Sequence, residues 1–278
     1  MIKLFHDTSH QCSKITTELY STSFSSSIRM LHTDLHEPIY DVYGFVRFAD
    51  EIVDTFHDYD KEKLLEEFVK ETYLAIERKI SLNPILNSFQ ITVNKYNIDH
   101  ALIDAFFKSM KMDLNKNDYD AASYNEYIYG SAEVVGLMCL YIFCDGDKAA
   151  YQKLKPYAQS LGAAFQKINF LRDVKADHED LNRTYFPDVN FKNFTQIDKD
   201  NIEKDIALDF ENAYKGILML PTKAKFGVYL AYKYYLTLFD KVKKAPPQVL
   251  LEQRVRVTNS HKAVILLKAR LRSSFNSI

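Results

Sequence analysis

Two pairs of aspartates stand out for the chemistry they could do. Asp173 and Asp177 lie in the stretch from Phe165 to Pro187, and Asp50 and Asp54 close the stretch that begins at Tyr43. In each pair the residues are four apart, so on a helix both carboxylates share one face. Like charges at that spacing destabilise a bare helix by roughly 0.2–0.5 kcal/mol per pair. Set among apolar residues, such pairs call for a cation or a surface position. Magnesium is usually held by one or two carboxylates together with substrate phosphates. Two facing pairs would suit several Mg²⁺ ions, with Mn²⁺ as a substitute, held against a diphosphate. Arg47 and Arg172 stand beside the two pairs, and a guanidinium grips phosphate oxygens with paired hydrogen bonds. Arg183, Arg254 and Lys262 are further cations for the same task.

The residues around these groups are aromatic and aliphatic. Ring faces favour a cation formed by ionisation, and excluding water prevents its capture. The sum is a site for an isoprenoid diphosphate. A single Asp-x-x-x-Asp says little, because acidic residues four apart are common on solvated helices. Two copies inside apolar runs, each with a neighbouring arginine, say much more. Spacing alone does not separate condensation from cyclisation.

Several other classes find no support. There is no glycine-rich phosphate loop, no dinucleotide fingerprint, no His-Glu-x-x-His and no Cys-x-x-Cys. His57 and His178 follow the aspartate pairs closely but read as surface histidines. A net charge of -1 gives no field for nucleic acid or for an anionic membrane as a whole. Cys12, Cys139 and Cys144 form no metal pattern, and so sparse a set points to reduced thiols and a cytoplasmic protein. The N-terminus lacks the apolar run of a signal peptide. The longest uncharged apolar run, Val134 to Phe143, is too short to span a bilayer, while peripheral membrane contact stays compatible with the composition.

These groups need helices to position them. Only seven glycines and seven prolines occur, too few for the many turns of a βαβ chain. Apolar residues make up 47% of the chain, enough for a sizeable core. The first helix runs from residue 8 to about Tyr20, before a Ser/Thr-rich stretch that suits a cap and turn. Glu37-Pro38 opens a helix to about His57 that carries the first pair. Lys61–Lys79 reads as a solvated outer helix, followed by helices from Asn83-Pro84 and from Asp99 to about Leu114. Tyr124–Phe143 reads as one helix thinned by Gly130, Ala132 and Gly136, for a close helix crossing or a ligand. Asp145-Gly146-Asp147 is a turn, and Lys148–Asp180 is the longest helix, with the second pair. An irregular stretch follows to Lys199, then helices over Asp200–Leu218, Pro221 to about Val242, and a basic last helix over Lys262–Arg272. Nothing marks a domain boundary, so residues 1–278 read as one all-α domain.

In order along the chain come Ser21-Thr22-Ser23-Phe24; Tyr43 through Arg47 to Asp50 and Asp54; Tyr129 to Gly136; Gln166 through Asn169, Arg172 and Asp173 to Asp177; and Arg183-Thr184-Tyr185-Phe186-Pro187. With these motifs the chain resembles the squalene/phytoene synthase family over nearly its whole length, most of all bacterial phytoene and dehydrosqualene synthases. The resemblance implies an all-helical isoprenoid synthase fold around a central apolar cavity. It implies head-to-head (1'-1) joining of two prenyl diphosphates, through a cyclopropylcarbinyl diphosphate, with release of diphosphate. Asp50, Asp54, Asp173 and Asp177 would bind Mg²⁺, and Tyr129 would join them in catalysis. Arg47, Arg172, Arg183, Arg254 and Lys262 would hold diphosphate, with Ser21 and Ser23 close by. Phe24, Tyr43, Gly136, Gln166, Asn169 and Tyr235 would line the cavity.

The sequence departs from the family pattern at Glu133, where a small residue is usual, and at Asn182, where glycine precedes the arginine. Glu133 either faces the cavity and narrows it or faces outward without effect. No nicotinamide motif is visible, so no reductive second step is expected. The leading expectation is phytoene from two geranylgeranyl diphosphates. Alternatives are dehydrosqualene from two farnesyl diphosphates, a member that stops at presqualene diphosphate, a terpene cyclase on a similar scaffold, and a non-catalytic helical scaffold. The motifs carry no information on oligomeric state.

Overall fold

A computed structural model describes residues 1–115, 119–179, 185–187 and 189–274, the side chains of 176–179, 192 and 273–274 excepted. Among the described residues there is no β-strand. The helices are α1 (Ile2–Tyr20), α2 (Thr22–Ile28), α3 (His36–Asp54), α4 (Lys61–Arg78), α5 (Pro84–Tyr96) and α6 (His100–Asn115). There follow α7 (Ala121–Ile128), α8 (Val134–Cys144), α9 (Lys148–Glu179), α10 (Gln196–Met219), α11 (Thr222–Lys244), α12 (Pro247–Glu252) and α13 (Asn259–Ser274). Short 3-10 turns lie at Thr33–Leu35 and Phe191–Asn193.

The boundaries follow local chemistry. Ser21 leaves helical geometry and its side chain accepts a bond from the Phe24 amide at 3.2 Å, so the hydroxyl-rich stretch is one capping residue and then a further helix. Asn83 caps α5 in the same way, ahead of Pro84. Thr195 and Asp198 form a reciprocal capping box that starts α10 earlier than the sequence pattern suggests. Helix α1 begins at Ile2, ahead of any apolar periodicity.

The long helix expected over Tyr124–Phe143 is broken in register. Tyr129–Glu133 forms a π-helical turn between α7 and α8. The run Ala121–Cys144 is, by length and composition, apolar enough to cross a bilayer, although its uncharged part, Val134 to Phe143, is not. Half of its apolar window is buried inside the protein, as in a core helix.

One end of the bundle is a packed aromatic core. The Phe45 and Phe89 rings stack with centroids 3.8 Å apart, and Phe68, Phe106 and Phe107 close around them. Each such side chain stabilises the fold by about 1.5–3 kcal/mol on burial. Helix α1 meets α3 and α5 across a polar seam. His10 Nδ1 bonds the buried Asp41 carboxylate at 2.9 Å, Thr92 donates to the same carboxylate at 2.7 Å, and Ser13 pairs with Ser88 at 2.7 Å. The other part of the bundle, between α2, α3, α8, α9, α10 and α11, is hollow.

Candidate functional site

The hollow is a cavity of about 500 Å³. Its deep wall is apolar, with Leu31, Ile39, Leu140, Phe143, Ile217 and Leu220. Polar groups gather at one end, where Ser21, Arg47, Asp50, Gln166, Asn169, Arg172 and Arg254 line it. All six residues expected on its wall are there: Phe24, Tyr43, Gly136, Gln166, Asn169 and Tyr235. Phe24 lies within ring contact of Tyr43, Phe165 and Tyr235, and Phe165 stacks on Tyr235 at 3.8 Å. These four rings form one aromatic belt on the wall, joined to the polar groups through Tyr43 beside Ser21 and Tyr235 beside Asn169. Gly136 serves both a crossing and a wall, since a Cβ there would stand 3.2 Å from the Ala158 carbonyl of α9.

Helix α3 delivers the first acidic pair. Burial pushes the Asp50 carboxyl well above the usual carboxylate range, and the charges of Asp54 and Asp113 add to that push while Arg47 opposes it. Arg47 pairs with Glu51, lies 3.8 Å from Asp50 and sits over the Tyr20 ring, and its buried Nε has no partner. Burial also drives the Tyr43 phenol up to about 12, against the effect of its bond to Ser21.

Helix α9 delivers the second pair. Arg172 Nε donates to Asp173 Oδ1 at 2.9 Å. Arg254, in the segment between α12 and α13, reaches the same carboxylate at 2.6 Å. Two of the four arginines expected on diphosphate are therefore gathered on Asp173. Asn169, one turn before, keeps a buried Oδ1 without a partner. Lys262 donates to Thr22 Oγ1 at 2.6 Å, and its pKa is lowered by burial and by the nearby Arg172 charge. Ser23 is half-buried and is not on the cavity wall. Arg183 and Asn182 lie outside the described residues, as do the side chains of Asp177 and His178.

The structure places Tyr129 away from the cavity. It is half-buried, and burial and the charge of Glu133 raise its pKa. Tyr127, two residues ahead of this motif, is buried, and its hydroxyl donates to Asp113 at 2.7 Å. Residues two apart on a helix point to nearly opposite sides, so only one of the two can face inward. Asp113 is the acid that the spacing missed. It lies on α6, is itself buried, and acts on Asp50 through its charge. Glu133 faces α9, where Gln159 donates to it at 2.7 Å, and it does not line the cavity. His57 lies beside Lys61 at 3.0 Å in an exposed position.

The polar end suits a hard cation. Asp50, Asp54 and Asp113 bring three carboxylates into mutual influence, with Arg47 the cation that acts on Asp50. Among the described residues no three acidic, imidazole or thiol groups converge on one point. That arrangement fits an ion shared between one or two carboxylates and a bound phosphate, rather than one enclosed by protein.

The family model for squalene/phytoene synthase matches residues 17–261. The chain is 26% identical to a 4,4'-diapophytoene synthase of Staphylococcus haemolyticus, over 67% of this chain and 65% of that protein. It is 25% identical to a phytoene synthase of Arthrospira platensis, over 96% of this chain and 94% of that one. Against the first of these, and against a rice chloroplastic phytoene synthase, the chain spans just under two thirds of the relative's length. In structure it superposes on a dehydrosqualene synthase crystallised with ligand with a TM-score of 0.82, at 18% identity, over 98% of both chains. A squalene synthase from Alicyclobacillus acidocaldarius gives a TM-score of 0.73 at 18% identity, over 86% of this chain and 94% of that one. With Asp50, Arg47, Gln166, Asn169 and Arg172 of its motifs on the wall of one cavity and residues 17–261 matched by the family model, this chain belongs to the squalene/phytoene synthase family.

Proposed function

We propose that this chain joins two prenyl diphosphates head to head (1'-1), with geranylgeranyl diphosphate as substrate and phytoene as product. The observation that carries the reading is the cavity itself. Asp50, Arg47, Arg172 and Arg254 line it, with Asp173 bonded to the last two, an aromatic cluster adjoins them, and apolar side chains make up most of the remaining wall. A molecule with a charged head and a long apolar tail matches that combination of chemistry.

Asp50 and Asp54 on α3 and Asp173 on α9, with Asp177 by its spacing, would hold Mg²⁺. The ion supplies Lewis-acid stabilisation of the departing diphosphate charge. Arg47, Arg172 and Arg254 orient the diphosphate oxygens. The first C1–O bond breaks to give inorganic diphosphate and an allylic cation. The rings of Phe24, Tyr43, Phe165 and Tyr235 favour that cation, and the apolar wall keeps water from it. The double bond of the second substrate attacks it, and proton loss closes a cyclopropylcarbinyl diphosphate. A second ionisation, rearrangement and proton loss yield the polyene without a reductant.

The aromatic belt around Phe24 favours a second reading. Its four bulky rings fill wall space that smaller side chains would leave open, and a smaller chamber would suit two farnesyl diphosphates and a dehydrosqualene product. The deciding experiment offers purified protein and Mg²⁺ each diphosphate separately, without nicotinamide. A C40 polyene from the longer substrate is expected. A C30 product from the shorter one alone would replace phytoene with dehydrosqualene. Accumulation of the cyclopropyl diphosphate would mark a member that stops there. No diphosphate release from a folded sample would end the enzyme reading.

A further inference from the structure

Helix α13 is apolar on two opposite sides. Its inner side carries the buried Ile265 and Ala269 and packs on α11, while Lys262 reaches Thr22 of α2. Its outer side carries Val264, Leu267 and Leu271, exposed by 46%, 61% and 54%. These three are three and four residues apart, so they form one stripe. At about 100° per residue the stripe lies opposite Ile265 and Ala269. Lys268 and Arg270 flank it on either side, and both are exposed. An interior helix has no use for a second apolar face, and a solvated helix would carry polar residues there.

The charge around this helix is as unusual as its apolar face. From Lys241 to Arg272 there are nine lysines and arginines against the single acid Glu252, in a chain whose net charge is -1. Lys268, Arg270, Arg272, Arg256 and His261 are exposed on or beside α13. A helix with leucines on its outward face and basic residues at its flanks matches the interface of an anionic bilayer, where the apolar face enters the acyl boundary and the cations meet phosphate headgroups. The first turn of α13 also stands at the polar end of the cavity, because Lys262 is close enough to Arg172 for their charges to interact.

We propose that α13 docks this protein peripherally on an anionic lipid surface, with Val264, Leu267 and Leu271 inserted and Lys268, Arg270 and Arg256 against the headgroups. Docking by this face sets the polar end of the cavity beside the bilayer, the phase in which long-chain prenyl groups dissolve.

The test is co-sedimentation of the full chain with vesicles of neutral phosphatidylcholine or of phosphatidylcholine mixed with phosphatidylglycerol. Binding to the mixed vesicles is expected, weak binding to neutral ones, and loss in high salt. Leu267→Asp with Leu271→Asp should lower partition by about tenfold or more. Leu208→Asp, at an exposed leucine on α10, should leave it unchanged and controls for added charge. Circular dichroism checks that each variant folds. Wild-type binding by the double variant would overturn the proposal, as would equal binding to neutral vesicles. A dimer that the double variant dissolves, with no vesicle binding, would assign the stripe to a second copy of the chain. Retention on duplex DNA without vesicle binding would assign the charge to nucleic acid, and either result overturns the lipid assignment. Sedimentation needs no turnover, so a protein that binds vesicles but makes no product sinks only the enzymatic reading.

Discussion

Asp50 carries a conflict that a single substitution exposes. Its carboxyl is half-buried at the cavity wall, feels the charges of Asp54 and Asp113, and is held well above the usual carboxylate range by desolvation first and by those charges. A carboxyl raised in this way favours the folded state while it is protonated, and that contribution is lost as pH rises through its folded pKa. Asp50→Asn removes the ionised form. In metal-free protein near neutral pH it should raise stability by about 0.5–2 kcal/mol, read by thermal unfolding. The same change should lower diphosphate release by roughly 100-fold or more, because an oxygen ligand becomes a neutral amide. Tyr127→Phe tests the buried bond to Asp113. Loss of that donor should cost about 1–3 kcal/mol and reduce turnover, whereas Tyr129→Phe should change turnover little. The motif put Tyr129 forward, although nothing in the sequence itself sets it apart from Tyr127. Tyr127-Ile128-Tyr129-Gly130 offers two equal candidates, and only the direction of the helix separates them. Asp113 was hidden for a related reason. It has no acidic partner four residues away and sits after Met110 and Met112, in a run that reads as packing. The wall residues were legible because Tyr43, Gln166 and Asn169 share α3 and α9 with Arg47, Asp50 and Arg172, and the motifs around Phe24, Gly136 and Tyr235 supply the facing helices α2, α8 and α11.

Among the elements, helix existence was readable from apolar periodicity and capping residues, and helix ends largely so. What failed was phase. Nothing in an unbroken apolar run announces an extra residue per turn, so the π turn at Tyr129–Glu133 read as plain helix. The start of α1 failed because its docking is polar, through Ser9, Ser13, Thr16 and Thr17, which carry no apolar stripe. That polar docking has a pH dependence. Burial of His10 opposes its charge, but the Asp41 bond and the charges of Asp41, Glu37 and Asp7 outweigh it, so its pKa lies above the ordinary 6.5. A raised imidazole stabilises the fold fully below 6.5 and loses that contribution as pH rises through the folded value. Thermal midpoints should therefore fall on going from mildly acidic to mildly alkaline buffer. His10→Gln should flatten that slope, and an unchanged slope would place the dependence elsewhere.

For the molecule as a whole, the polar end of the cavity exists only when distant segments meet. Asp173 and Arg254 are 81 residues apart in the chain, and Lys262 meets Thr22 across 240 residues. A ligand that binds this end binds only the folded chain, so it should protect against global unfolding. Inorganic diphosphate with Mg²⁺ should raise the thermal midpoint, by an amount equivalent to about 2.7 kcal/mol at one hundred times Kd. Arg254→Ala should shrink that shift without shifting the midpoint of the unliganded protein by more than the ~0.5 kcal/mol usual for surface changes. The π turn also works at this scale. It adds one residue between Tyr127, aimed at Asp113, and the cavity wall formed by Val135, Gly136, Cys139 and Leu140. Winding this turn as ordinary α-helix with all its residues kept would rotate everything after it by about 100°. Gly136 would leave the Ala158 carbonyl, and the wall would turn toward solvent with every side chain intact. In this protein the winding between two landmarks is inherited information, distinct from the residues' identities, and a relative one residue shorter there could present the same face to its chamber from an unbroken α-helix.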